Sequence, residues 1–446
     1  MSKSRQLHLN AFIHDIGHHE AAWRLPESRP LDTVNVEHYI SVAQLAEAAK
    51  FDSVFFADGP ALLGDPRYRP VGILEPLTLL GALAVSTSRI GLIATASTTY
   101  DEPYNLARRF ASLDHISRGR VGWNIVTTAS NDAARNFGLD DQALHRNRYE
   151  RAEEFLQVAT KLWDSWEDGA RIADKQAGVF ADAEQIHSID HSGEFFQVAG
   201  PLNVPRTPQG RPLLVQAGSS LSGRIFAGRW AEAVFTAQRS LAEGQEFYAD
   251  LKQRAEEAGR RREDITILPG IVPAIGSTEA EAREREQEFE ELIIPAYGLR
   301  QLSQFFGVDL SDAELDAPLP EVPEEDQIEG HKSRSTLVAE LARREHLTVR
   351  QLIGRLGGGR GHRTFAGTPE QLADDLELWL ENGAADGFNI MAPAIPGDLQ
   401  TFIDHVLPIL RARGLFREDY EGDTLREHYG AERPENSLAA LSEVAA

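Results

Sequence analysis

Apolar and polar positions along the chain fall into two alternating regimes. Short apolar runs rich in β-branched and aromatic residues predict strands at 6–13, 53–57, 90–94, 121–126, 212–216, 233–236, 265–275 and 387–391. Between them, apolar residues recur three and four apart and predict helices, among them 35–50, 74–86, 103–117, 148–166, 240–259, 368–382 and 398–413. Pro103 suits a first helical turn, and Ser117-Arg118-Gly119 ends that helix. Eight strand candidates, seven with a helix directly after them, favour an α/β fold of the closed (β/α)8 type, a TIM barrel with insertions. A doubly wound open sheet is the alternative, but no G-x-G-x-x-G follows the first strand. Polar residues gather where the strands end, the side on which parallel α/β folds build ligand sites.

Two stretches break the rhythm. Residues 167–211 are rich in Gly and Pro and carry HSGEFFQV, which reads as a β-hairpin. Residues 278–361 begin with a highly charged helix, and 311–330 hold eight acids, no Lys or Arg, and prolines at 318, 320 and 323. That composition predicts a surface excursion. Residues 414–446 form a C-terminal extension, so the chain reads as one barrel domain over 1–446.

Composition narrows the function classes. The formal charge of −24 argues against nucleic acid or an anionic membrane as partner, because phosphate binding needs clustered Lys and Arg. Without cysteine there is no thiolate nucleophile and no Cys-ligated metal. The opening MSKSRQLHLNAF lacks the apolar core of a signal peptide, and the expected location is the cytoplasm.

Candidate chemistry follows the strand ends. Gln216–Gly223, QAGSSLSG, runs from a strand through small residues into a helix start. Ser219, Ser220 and free backbone N–H groups suit a phosphate there, though a plain N-cap, where Ser is favoured anyway, also explains the serines. HRNRY sets His145 and Tyr149 on one face of a helix start, as ligand donors or as a capped surface end. Asp58 and Thr95 end two strands at the expected rim, and the alternative for Asp58 is a turn with Gly59. His14, His18 and His19 lack a metal-ligand motif, so no metal is expected. Phe12, Phe55, Phe56, Trp123 and Phe388 read as core, with some left to line a pocket for a planar ring.

Long motifs in order then carry a resemblance: ATASTTYDEPYNLARRFASLDHISRGRVGWNIVTT, NFG, HRNRYERAEEF, LWDSWE, GPLNVPRTPQGRPLLVQAGSS, AGTPEQLADDLE and RGLFREDYEGDTLREHYG. Together they resemble the flavin-dependent monooxygenases of the bacterial-luciferase superfamily, in the branch of the nitrilotriacetate, EDTA and dibenzothiophene-sulfone enzymes. The resemblance implies a barrel whose C-terminal mouth binds reduced FMN, supplied by a separate NAD(P)H:flavin reductase, with O2 as co-substrate. It implies FMN contacts at Asp58, Thr95, His145, Tyr149 and Ser219 or Ser220, the serines and Tyr149 near the phosphate. His18, five residues before Trp23, resembles a loop histidine placed near the flavin, and with Phe12 it makes the catalytic candidates. The 278–361 insertion would be the lid, and a homodimer or homotetramer is expected. The implied reaction is oxygenation of a small organic substrate with cleavage of a C–S or C–N bond. A deazaflavin-dependent oxidoreductase of the same fold and a non-catalytic flavin-binding protein are the alternatives.

Overall fold

The computed structural model describes residues 5–62, 64–142, 145–322, 338–339, 342–359 and 361–439, the side chains of His145 and Phe305 excepted. Residues 323–330 of the acidic stretch therefore lie outside the described residues. In chain order the strands are β1 (His8–Ile13), β2 (Ser53–Phe56), β3 (Gly91–Ser97), β4 (Val121–Val126), β5 (His191–Ser192), β6 (Gln197–Val198), β7 (Leu213–Ala217), β8 (Ala233–Thr236), β9 (Thr266–Ile275), β10 (Arg363–Gly367) and β11 (Gly387–Ile390). Eight of them pair in parallel around a closed ring, β1-β2-β3-β4-β7-β8-β9-β11 and back to β1. All eight predicted strands are members of this barrel. β5 and β6 pair antiparallel as the small hairpin in 167–211.

β10 had no counterpart in the sequence reading. β9 is ten residues long; its first part closes the barrel and its second part, Ile271–Ile275, pairs with Arg363–Gly367. RTFAG has no alternation to announce a strand, so its pairing comes from the extended edge that β9 offers.

Side-chain alternation divides the barrel into two faces. Trp123 of β4 points outward and packs among Phe110, Phe155 and Trp163 of the surrounding helices. Phe12, Phe55, Ile93, Leu213, Val215, Phe235, Leu268 and Met391 fill the interior.

The C-terminal extension closes the floor of the barrel. Leu425 and Tyr429 belong to the interior cluster, and a Cβ at Gly91 would lie 2.2 Å from Leu425 Cδ1, so only glycine leaves room for the plug. Tyr429 Oη donates to Asn10 Oδ1 at 2.7 Å, Ser53 Oγ donates to the same atom at 2.9 Å, and Asn10 Nδ2 donates to Asn389 at 3.2 Å. Beneath this layer Asp52, fully buried, accepts from Leu9 N at 2.7 Å and pairs with His8 and Arg417. Burial works against its charge, but Arg417 and His8 hold the carboxyl below its ordinary value.

Candidate active site

The rim is built differently on three sides of the mouth. On the β7 side the strand ends at Ala217 and the helix Leu221–Trp230 begins after Ser220, the N-cap, whose Oγ accepts from Gly223 N at 3.2 Å. Tyr149 reaches this point from the helix His145–Trp163, its ring held edge-on by Phe226 at 5.9 Å. Gln216 is 2 % exposed; its Nε2 donates to Ala217 O at 3.1 Å and its Oε1 has no hydrogen-bond partner among the described residues. A Cβ added at Gly223 would lie 3.0 Å from Tyr149 Oη, 3.2 Å from Ser220 Oγ and 3.5 Å from Gln216 Nε2. Three polar groups thus crowd around a glycine at the positive end of a helix, where a side chain would push them apart. Arg148 is buried beside Tyr149 and Tyr100; burial lowers its pKa, yet a guanidinium keeps its charge. Two hydroxyls, a carboxamide and a nearby cation suit a phosphate dianion.

On the β2–β4 side Thr95 and Asn124 are register partners facing the interior. Thr95 Oγ1 donates to Phe56 O at 2.8 Å and accepts from Asn124 Nδ2 at 2.8 Å. Asn124 Oδ1 is buried without a partner among the described residues, a deficit of about 1–3 kcal/mol that a bound donor would remove. Asp58 follows β2 half-buried. Burial pushes its carboxyl up, Gly59 N opposes this, and Glu75 and Asp101 add to it.

The third side is aromatic. Phe12 stacks on Phe55 at 5.1 Å and meets Phe235 at 5.3 Å. His18 lies edge-on to Phe12 at 6.0 Å and to His362 at 6.0 Å, while His362 stacks on Phe235 at 4.9 Å and 8°. His362 immediately precedes β10, so the unforeseen strand delivers a histidine to the mouth.

The loop after β1 carries His18 and is covered by the 278–361 segment. His18 Nε2 is 3.4 Å from Gly359 O, Gln301 donates to Glu20 at 2.9 Å, and His19 packs on Phe289 at 4.7 Å. Asp65, in the loop after β2, binds Arg67 at 2.6 Å and also pairs with Arg300 of the helix Pro295–Phe306.

The family model for luciferase-like monooxygenases matches residues 16–386. The chain is 48% identical to N-acetyl-S-(2-succino)cysteine monooxygenase of Bacillus subtilis over 98% of its own length and 99% of the relative's. It is 47% identical to nitrilotriacetate monooxygenase component A of Aminobacter aminovorans, over 99% of this chain and 100% of that one. The chain belongs to the luciferase-like monooxygenase family. Among solved structures it is similar to EDTA monooxygenase from Chelativorans sp. BNC1, with a TM-score of 0.82 at 37% identity, covering 96% of this chain and 99% of that one.

In this luciferase-like monooxygenase the residues singled out from the sequence fall into the groups just described. Tyr149 and Ser220 meet beside Gly223 after β7, while Ser219, exposed like Ser220, stands one residue before the N-cap. Asp58 and Thr95 lie on the neighbouring β2–β4 side, since β4 pairs directly with β7, and Phe12 and His18 on the aromatic wall. His145 begins its helix, but its side chain lies outside the described residues. Gln216, Asn124 and His362 join them in the structure. Gln216 stood inside QAGSSLSG and Asn124 ended an apolar run, so both carried a signal; His362 depended on β10. Among the described residues no group of three or more potential ligands could hold a metal, and no helix is long and apolar enough to cross a membrane.

Proposed function

We propose that the protein is the oxygenating component of a two-component system. It takes reduced FMN from a separate NAD(P)H-dependent flavin reductase and oxygenates a small molecule at a carbon attached to nitrogen or sulfur. The observation that carries this reading is the convergence of the polar groups of Ser220, Tyr149 and Gln216 around Gly223, in the first turn of the helix Leu221–Trp230. Reduced FMN, when bound, supplies the two electrons with which one atom of O2 enters the substrate and the other leaves as water.

The remaining work belongs to the chain. Ser220 Oγ, Tyr149 Oη and Gln216 Nε2 would hold the phosphate, with Arg148 adding charge. Thr95 and Asn124 fix the polar side of the mouth, and Asp58 adds a carboxyl whose raised pKa lets it keep a proton more readily than an exposed acid. Phe12, Phe55 and Phe235 exclude water from the reacting centre, which limits loss of oxidising equivalents as H2O2. His18 and His362 are the groups able to move a proton there. The helices Glu279–Leu292, Pro295–Phe306 and Val349–Gly359 act as the lid, a role supported by the contacts of Arg300, Gln301 and Gly359 with the mouth loops.

For the substrate, we infer an amine or thioether bearing several carboxylates. N-acetyl-S-(2-succino)cysteine and nitrilotriacetate, named for two relatives that match over nearly their whole length, share that chemistry. The test is reconstituted turnover with FMN, NADH and a flavin reductase under isotopically heavy O2. The expected result is consumption of an N- or S-carboxyalkyl compound with one heavy oxygen atom retained in a product. Turnover of a flat aromatic sulfone with no carboxylate substrate consumed would overturn the substrate class.

A further inference from the structure

Asn124 is 3 % exposed in the upper interior of the barrel, and its neighbours fix which way its carboxamide points. The Thr95 hydroxyl spends its proton on Phe56 O, so toward Asn124 it can only accept. The amide nitrogen must therefore face Thr95, and it does, at 2.8 Å. Oδ1 is left directed away from Thr95, buried, and without a hydrogen-bond partner among the described residues. An orphaned acceptor held so rigidly in a polar rim calls for a donor brought by the ligand.

We propose that Asn124 Oδ1 accepts a ring N–H of the reduced flavin and thereby makes the site favour reduced over oxidised FMN. The inference rests on the FMN reading above. Two-electron reduction of an isoalloxazine ring adds N–H donors where the oxidised ring presents lone pairs. A fixed carbonyl oxygen attracts the first and repels the second. An enzyme fed by a separate reductase needs this discrimination, since it must capture the reduced form and release the oxidised one. Thr95 acts through Asn124 as a positioning residue: it turns a carboxamide that could offer either end into one that offers only its oxygen.

The experiment is a pair of dissociation constants, for reduced FMN by anaerobic titration and for oxidised FMN by fluorescence, with thermal melting as a check on folding. Asn124→Leu should weaken reduced FMN about tenfold and change oxidised FMN by less than about twofold, the size of one lost hydrogen bond. Thr95→Val keeps the acceptor but frees it to rotate, and should shrink the reduced-to-oxidised preference in the same direction; it carries the test if Asn124→Leu does not fold. Equal losses in both redox states would overturn the proposal by assigning Oδ1 to a group common to both forms, such as a ribityl hydroxyl. Unchanged constants would overturn it outright. Wild-type protein that binds neither form would instead bring down the FMN reading itself.

Discussion

Ser220 and Ser219 are adjacent hydroxyls with different work. Both are exposed, but Ser220 caps the helix Leu221–Trp230 through Gly223 N beside Tyr149 and Gln216, whereas Ser219 stands one residue before the cap. Ser220→Ala should therefore cost about 1 kcal/mol of stability and weaken FMN about tenfold, while Ser219→Ala should do little to either. Melting temperatures and FMN titrations of the two variants check this, and the reverse ranking would assign the phosphate to Ser219. QAGSSLSG was enough to locate the region but not to rank its residues. Ranking needed the N-cap geometry and the turn of Gln216 toward Gly223, which strand alternation places on the outer face, opposite Val215. Asn124 escaped for a related reason: its importance lies in a bond across to Thr95 on the neighbouring strand, and the sequence holds those residues twenty-nine positions apart.

At the scale of elements, the barrel strands were legible because each is a compact apolar run between helices of clear period. β10 was not, since RTFAG is defined by the edge of β9 rather than by its own pattern. The resemblance implied a lid over 278–361, but the pairs that tie that segment to the mouth loops, such as Asp65–Arg300, were hidden because they join a loop to a distant helix. If those helices are a lid, Asp65→Asn should leave the fold intact and raise H2O2 released per NADH consumed. Unchanged coupling would mean that this contact does not hold the lid. The plug yields a pH prediction. His428 stacks on Tyr420 at 4.7 Å, and burial, with Arg417 adding and Asp52 opposing, pushes its pKa down to about 4 from an ordinary 6.5. As pH falls through that window the unfolded chain takes up the proton first, so native stability falls by roughly 3 kcal/mol and levels off below the folded value. His428→Phe keeps the stack and should flatten thermal stability over that range relative to wild type; an identical slope would show that His428 stays accessible to protons.

For the whole molecule, the β/α rhythm was sufficient to give the barrel, and the order of long motifs was sufficient to give the family. The floor of the barrel was not foreseen, because RGLFREDYEGDTLREHYG reads as an ordinary polar extension until Leu425 and Tyr429 are seen inside the ring. The charge of −24 repels an FMN dianion at long range, so binding has to come from the local donors at Gly223 and the helix terminus behind them. The account stands or falls on what the protein does to reduced FMN when oxygen arrives. The direct measurement is rapid mixing of the protein, loaded anaerobically with reduced FMN, against oxygenated buffer, followed by flavin absorbance with and without a carboxylated amine or thioether. Protection within the mouth predicts that oxidised-flavin absorbance returns more slowly than for free FMN and that less H2O2 is released when substrate is present. Reoxidation as fast as free flavin under both conditions, with all the oxygen recovered as H2O2, would contradict a monooxygenase and leave a flavin-binding protein.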